Sequence, residues 1–218
     1  MANSPSTATE TGNARIGSQS VGDLLSAIAE KTPAPGGGAV VGAVGALSAA
    51  LAGMVIAYSR DKKSLTRHAP AHAVVGDRCA AASCKLLELA DADAAAYAEL
   101  NALQRLDPDD PERIEKLGAA AKRCIDIPLD VQRICLSLLE GFEELAPIAN
   151  EYLLSDLKIA AILAEAAVRA SDCNIEVNAP TLGSAVSPEA ERDAQATSLQ
   201  AIERAKNLLR SVEALIDD

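Results

Sequence analysis

Apolar residues recur along this chain at helical spacing, in long runs separated by proline, glycine and clustered charge. Ser20-Val21-Gly22-Asp23 reads as a helix start, with Ser20 as cap and Asp23 in the first turn. Leu24, Leu25 and Ile28 then form an apolar face, and the prolines of Thr32-Pro33-Ala34-Pro35 stop the helix. Residues 39–58 are twenty positions without a charge, holding seven Ala and three Gly. They predict a helix buried all round, ending where charges resume at 59–63. A third helix is expected from near Pro70 through Val74, Cys84, Leu87 and Ala94 towards Leu103. Asp107-Pro108-Asp109-Asp110-Pro111 closes it as an acidic turn. A fourth follows Pro111, with Ile114, Leu117, Ile125, Leu129, Ile134 and Leu138 inward and a kink or break at Pro128. A fifth is expected over about 150–171, then a short extended stretch at 174–178. Ser187-Pro188-Glu189 opens the last helix, whose apolar positions include Leu199, Ile202, Leu208 and Leu215.

These elements predict an all-α protein: one antiparallel helical bundle over residues 20–218 around a long buried Ala/Gly-rich helix. Residues 1–19 are polar, lack an apolar block and read as a disordered tail, not a signal peptide.

Composition narrows the function. Of 218 residues, 49% are hydrophobic but only 2% aromatic, with no Trp. Such a core argues against a β-sandwich or barrel, and against modules that stack bases on rings. The formal charge of −11 makes nucleic acid or an anionic membrane surface an unsuitable partner. Five cysteines without a C-x-x-C indicate reduced thiols in the cytoplasm, mostly small core residues. Residues 39–58 are long enough to span a bilayer. Small residues at 42, 46, 49 and 53 would let another helix approach closely in water or in lipid; the lack of aromatic belts and the acidic remainder favour a helix buried in protein.

Three groups could carry chemistry. Pro35-Gly36-Gly37-Gly38 heads the uncharged helix, where amides and the helix dipole favour negative charge; equally, it suits a loop squeezed between helices. His68 and His72 are four apart, but Pro70 lies between them and no third ligand is in view; they read as surface histidines, with no metal site. Asp93, within an Ala-rich stretch, and Asp156, before an apolar helix, are acids that burial would suit to proton transfer. Asp126, Asp130, Glu143 and Glu144 read as solvated charges.

Several of these segments, taken in order, resemble the cyclodeaminase/cyclohydrolase family of folate enzymes. The resemblance rests on Asp23-Leu24-Leu25, Lys31-Thr32-Pro33-Ala34-Pro35-Gly36-Gly37-Gly38-Ala39 and Lys62-Lys63. It continues through Asp93 to Tyr97, Ile127-Pro128-Leu129, Asn150 with Ser155-Asp156, and Asn174-Ile175-Glu176-Val177-Asn178. It spans roughly residues 20–180. The chain departs from the family pattern at Asp61, Ser64, Ala95, Leu157 and Lys158.

The resemblance implies an all-α fold, a homodimer, a tetrahydrofolate substrate and no metal or redox cofactor. The implied reaction is hydrolysis of 5,10-methenyltetrahydrofolate to 10-formyltetrahydrofolate. The alternative is cyclodeamination of 5-formiminotetrahydrofolate to the methenyl compound and ammonia. A non-catalytic folate- or partner-binding helical dimer is the alternative of another class. Asp156 and Asp93 are the implied acid/base groups. The 35–38 loop (Pro35, Gly36, Gly37, Gly38) and Lys62 are expected to hold folate carboxylates. Asn150, Ser155 and Asn178 are expected to bond the pterin.

Overall fold

The computed structural model describes residues 15–32 and 34–217; positions 1–14 of the predicted tail, Pro33 and Asp218 lie outside the described residues. The chain runs through α1 (Val21–Ala29), α2 (Gly37–Asp61), α3 (Ala69–Gln104), α4 (Pro111–Leu145), α5 (Leu154–Ala185) and α6 (Pro188–Asp217). No strand occurs among the described residues. Three helix starts are capped by side chains, each satisfying an amide with no partner in its own helix. Ser20 accepts from the Asp23 amide at 3.1 Å, Asp110 from Glu112 at 2.8 Å, and Ser187 from Ala190 at 3.1 Å.

The connections between successive long helices are short, so neighbours run antiparallel. α2 lies against α3 and α5; α4 lies against α3, α5 and α6; α6 lies against α4 and α5. Leu86, Leu138, Leu139, Phe142, Leu145 and Leu157 fill the centre with little or no exposure. Close approach of α2 to α3 depends on Gly42. A methyl there would lie 2.7 Å from the Leu86 carbonyl oxygen and 2.8 Å from the Ala90 side chain. Gln132 ties three helices together. Its amide nitrogen donates to the Val168 carbonyl at 3.0 Å and to the Ser198 hydroxyl at 2.7 Å. Ser198 in turn donates to Asp172 at 2.6 Å.

Six features differ from the sequence expectation. Residues 174–178 are helical, not extended. Ile175 and Ala179 are wholly buried one turn apart within α5, and this packing overrides the β-preference of Ile175 and Val177. α2 is buried only on the sides facing its neighbours; Leu47, Met54 and Tyr58 are exposed. His72 is not a surface residue but fully buried, with Nε2 donating to the Ile148 carbonyl at 2.9 Å and Nδ1 unpartnered. Ile114 is exposed rather than inward. Of the kink or break expected at Pro128, there is no break: α4 continues through it as one helix. Within the stretch read as a tail, the Ile16 amide donates to Asp91 at 2.9 Å, and the side chain is buried with Ala39 and Ala90.

Candidate active site

The N-terminus of α2 meets the middle of α3, where Asp93 faces the glycine loop. Their proximity explains Gly38: a Cβ at that position would fall 2.1 Å from the Asp93 carboxylate. Among the described residues no glycine has a positive φ, so Gly38 serves close approach and not an unusual turn. A Cβ on Gly37 would make only an ordinary 3.5 Å contact with Asn174.

A cavity of about 240 Å³ opens here, lined by Gly36, Gly37, Gly38, Asp93, Ala94, Tyr97, Cys124, Asn174, Val177 and Asn178. α3 supplies Asp93 and, one turn on, Tyr97; α4 supplies Cys124; α5 supplies Asn174 and Asn178, also one turn apart. The Asn178 side chain donates to the Asn174 carbonyl at 2.8 Å. Burial raises the pKa of Asp93 above its ordinary value. The Cys124 thiol is pushed up to about 11, by burial first and the Asp93 charge second, so it stays protonated at neutral pH and is a poor nucleophile. Neither Lys nor Arg lines the cavity. One half-buried carboxylate with neutral polar neighbours suits a cationic, hydrogen-bonding ligand and can carry a proton.

Of the residues expected at the site, the structure gathers Gly36, Gly37, Gly38, Asp93 and Asn178, with Pro35 next in the chain. Lys62, Asn150, Ser155 and Asp156 stand at the opposite end of α2. That helix is 25 residues long, or about 36 Å between its ends. There the Lys62 ammonium lies 2.8 Å from Glu151, 3.4 Å from the Asn150 side-chain oxygen and 5.1 Å from the centre of the Tyr152 ring. The Asn150 amide donates to Ser59 at 2.8 Å. Ser155 is exposed and Asp156 half-buried in the first turn of α5. Leu157 is buried, and Lys158 pairs with Asp217 at 2.9 Å, fastening α5 to the end of α6. Asp93 and Asp156 therefore do not share a site within one chain. Sequence reasoning missed Tyr97, Cys124 and Asn174. Tyr97 follows Asp93 by four, and Asn178 follows Asn174 by four, a signal lost once 174–178 was read as extended.

Fold and cavity together define a helical protein with a half-buried carboxylate, Asp93, facing the N-terminus of its long uncharged helix. The chain belongs to the formiminotransferase-cyclodeaminase family, whose sequence profile matches residues 20–196. It is 32% identical over 200 residues to the formimidoyltransferase-cyclodeaminase of Rattus norvegicus, covering 86% of this chain but only 36% of the rat protein. It is 27% identical to the methenyltetrahydrofolate cyclohydrolase of Methylorubrum extorquens, over 76% of this chain and 82% of that one. The crystal structure of formiminotetrahydrofolate cyclodeaminase from Thermotoga maritima matches with a TM-score of 0.84 at 26% identity, covering 93% of this chain and 98% of that chain.

Proposed function

We propose that this protein hydrolyses the one-carbon bridge of 5,10-methenyltetrahydrofolate to 10-formyltetrahydrofolate. The observation that carries the reading is the half-buried Asp93 carboxylate against Gly38, in a cavity whose lining includes no basic side chain. The methenyl bridge is an amidinium cation, which a half-buried carboxylate attracts. Water adds to the bridge carbon while Asp93 accepts its proton. The resulting tetrahedral carbon carries N5, N10 and a hydroxyl. Asp93 returns the proton to N5 as the C–N5 bond breaks, and loss of the hydroxyl proton to solvent leaves the formyl group on N10. Sum and charge balance: methenyl cation plus water gives formyl product plus one proton. A raised pKa suits a group that must both take and give that proton. Asn174 and Asn178 offer donors and acceptors to the pterin edge. Every step is proton transfer and addition–elimination, so the chemistry calls for neither a metal nor a redox cofactor.

Cyclodeamination is the second reading, favoured by the match to the Thermotoga maritima structure over nearly its whole length. N10 attacks the protonated formimino carbon, Asp93 moves the N10 proton to the departing nitrogen, and ammonia leaves with the methenyl cation as product. The protein in this reading is a cytoplasmic homodimer. The near-ultraviolet absorbance of the methenyl bridge tests both reactions. Loss of absorbance from the methenyl compound above the spontaneous rate is the expected result. A gain from 5-formiminotetrahydrofolate assigns cyclodeamination instead, and no change with either substrate overturns the catalytic reading.

A further inference from the structure

We propose that Ile16 is a positioning residue for Asp93: seated against the α2–α3 contact, it clamps the head of α2 onto α3 and so keeps Gly38 closed against the carboxylate. The role rests on the reading of Asp93 as the proton carrier. Among the described residues ahead of Ala39, Ile16 alone is buried. It is 7% exposed, while α1, which follows it, buries no residue. Its side chain packs on Ala39 of α2 and Ala90 of α3, with Leu24 and Leu87 against the same cluster. Ala39 follows Gly38 directly, and Ala90 lies one turn before Asp93. The cluster therefore holds the neighbours of both partners in the Gly38–Asp93 approach. No member of it lines the cavity, so Ile16 acts through Asp93 and not on a ligand.

The head of α2 needs such a hold. Its N-cap, Gly36, makes no side-chain hydrogen bond to the first amides, and Gly37 and Gly38 open the helix. Glycine weakens a helix through the backbone freedom it loses on folding. Neither glycine offers a side chain to pack on α3, so Ala39 is the first residue of α2 that does. Two facing alanine methyls bury little surface, and the larger side chain of Ile16 supplies the rest. Ile16 is itself pinned. Its amide donates to the Asp91 carboxylate at 2.9 Å. A turn closes around it, the Ser18 amide donating to the Arg15 carbonyl at 2.9 Å and the Gln19 amide to the Ile16 carbonyl at 3.3 Å. Gly17 runs so near α3 that a Cβ there would come 3.2 Å from Leu87. With Ile16 cut back, this corner is under-filled, the head of α2 lifts and water reaches Asp93.

Ile16→Ala tests this, by pH–rate profiles beside an NMR titration of the Asp93 carboxyl carbon in the ligand-free protein. Val212→Ala is the control. It truncates a wholly buried side chain at the other end of the bundle, near the Lys158–Asp217 pair. Burial holds the Asp93 pKa above its ordinary value, so admitting water moves its titration to lower pH. The other titratable groups beside it, Asp91 and Tyr97 on α3 and Cys124 on α4, are the same in every variant; the residues that α2 and α5 bring to the cavity do not titrate. For Ile16→Ala we expect kcat to fall by about tenfold with KM within about threefold of wild type. The acid limb of kcat/KM and the Asp93 titration should both move to lower pH. Ile16→Val gives the same displacements at smaller amplitude and carries the test if the alanine variant does not fold. Val212→Ala lowers the melting temperature with neither displacement. Equal losses of kcat from the two truncations, with unmoved titrations, overturn the proposal, because Ile16 then serves stability alone. A rise in KM with kcat held also overturns it. If the wild-type protein turns over neither folate, the reading of function fails on its own. The ligand-free titration still decides: a displaced Asp93 upholds the clamp and an unmoved one overturns it.

Discussion

Asp93 is held where an ionised carboxylate is poorly solvated, and that has a measurable cost. The helix N-terminus beside Gly38 favours the charge, but burial dominates and raises the pKa. With a raised folded-state pKa, the unfolded chain loses its proton first as pH climbs. Stability from this group is thus complete below the ordinary carboxylate value and lost as pH passes the raised one. Asp93→Asn removes both charge and proton carrier. We expect kcat to fall by about 10²–10⁴-fold while the melting temperature at pH 8 rises above wild type, the difference vanishing near pH 3. Thermal unfolding at the two pH values, beside the absorbance assay, checks both halves. A variant that is both inactive and less stable at pH 8 would give Asp93 a structural role instead. The sequence marked Asp93 through its apolar neighbours. It could not show that Asp156, singled out on similar grounds, is a helix length away, because spacing along a chain says nothing about which end of a bundle a residue reaches.

At the scale of elements, caps and periodicity made most of the helices legible. Ser20, Pro70, Pro111 and Ser187 mark starts that the structure keeps. Residues 174–178 were misread because Ile175 and Val177 alternate with polar residues as a strand would. The longer rhythm of Ser171, Ile175, Ala179 and Leu182 is the one that packs. Ile114 and His72 were misplaced for the opposite reason: nothing in their immediate neighbours signals which face the bundle covers. The α2–α3 contact offers the sharpest test of packing. Gly42→Ala must push apart two backbones and should cost about 1–3 kcal/mol in urea unfolding. Gly76→Ala meets Ile56 at an ordinary 3.6 Å and gains helix propensity, so it should stabilise by about 0.5–1 kcal/mol. Equal effects from the two would show that helix propensity, not close approach, governs Gly42.

The whole molecule shows how a chain almost without aromatic residues builds a core. Ala, Leu and Val do the filling, and the one Phe, Phe142, is wholly buried. The three tyrosines all remain outside: Tyr58 on the bare side of α2, Tyr97 at the mouth of the Asp93 cavity, Tyr152 against Lys62. With no Trp in the sequence, these phenols are the molecule's entire intrinsic fluorescence. The usual meaning of that signal is therefore inverted. Unfolding scarcely changes the solvent around rings that are already wet, so urea should leave tyrosine emission nearly flat while the far-ultraviolet circular dichroism collapses. A ligand entering beside Tyr97, or a surface closing over Tyr58, should change the emission with the helices intact. In this protein the light reports on what arrives at the surface, and a fluorimeter that is a poor witness to folding becomes a direct one to occupancy.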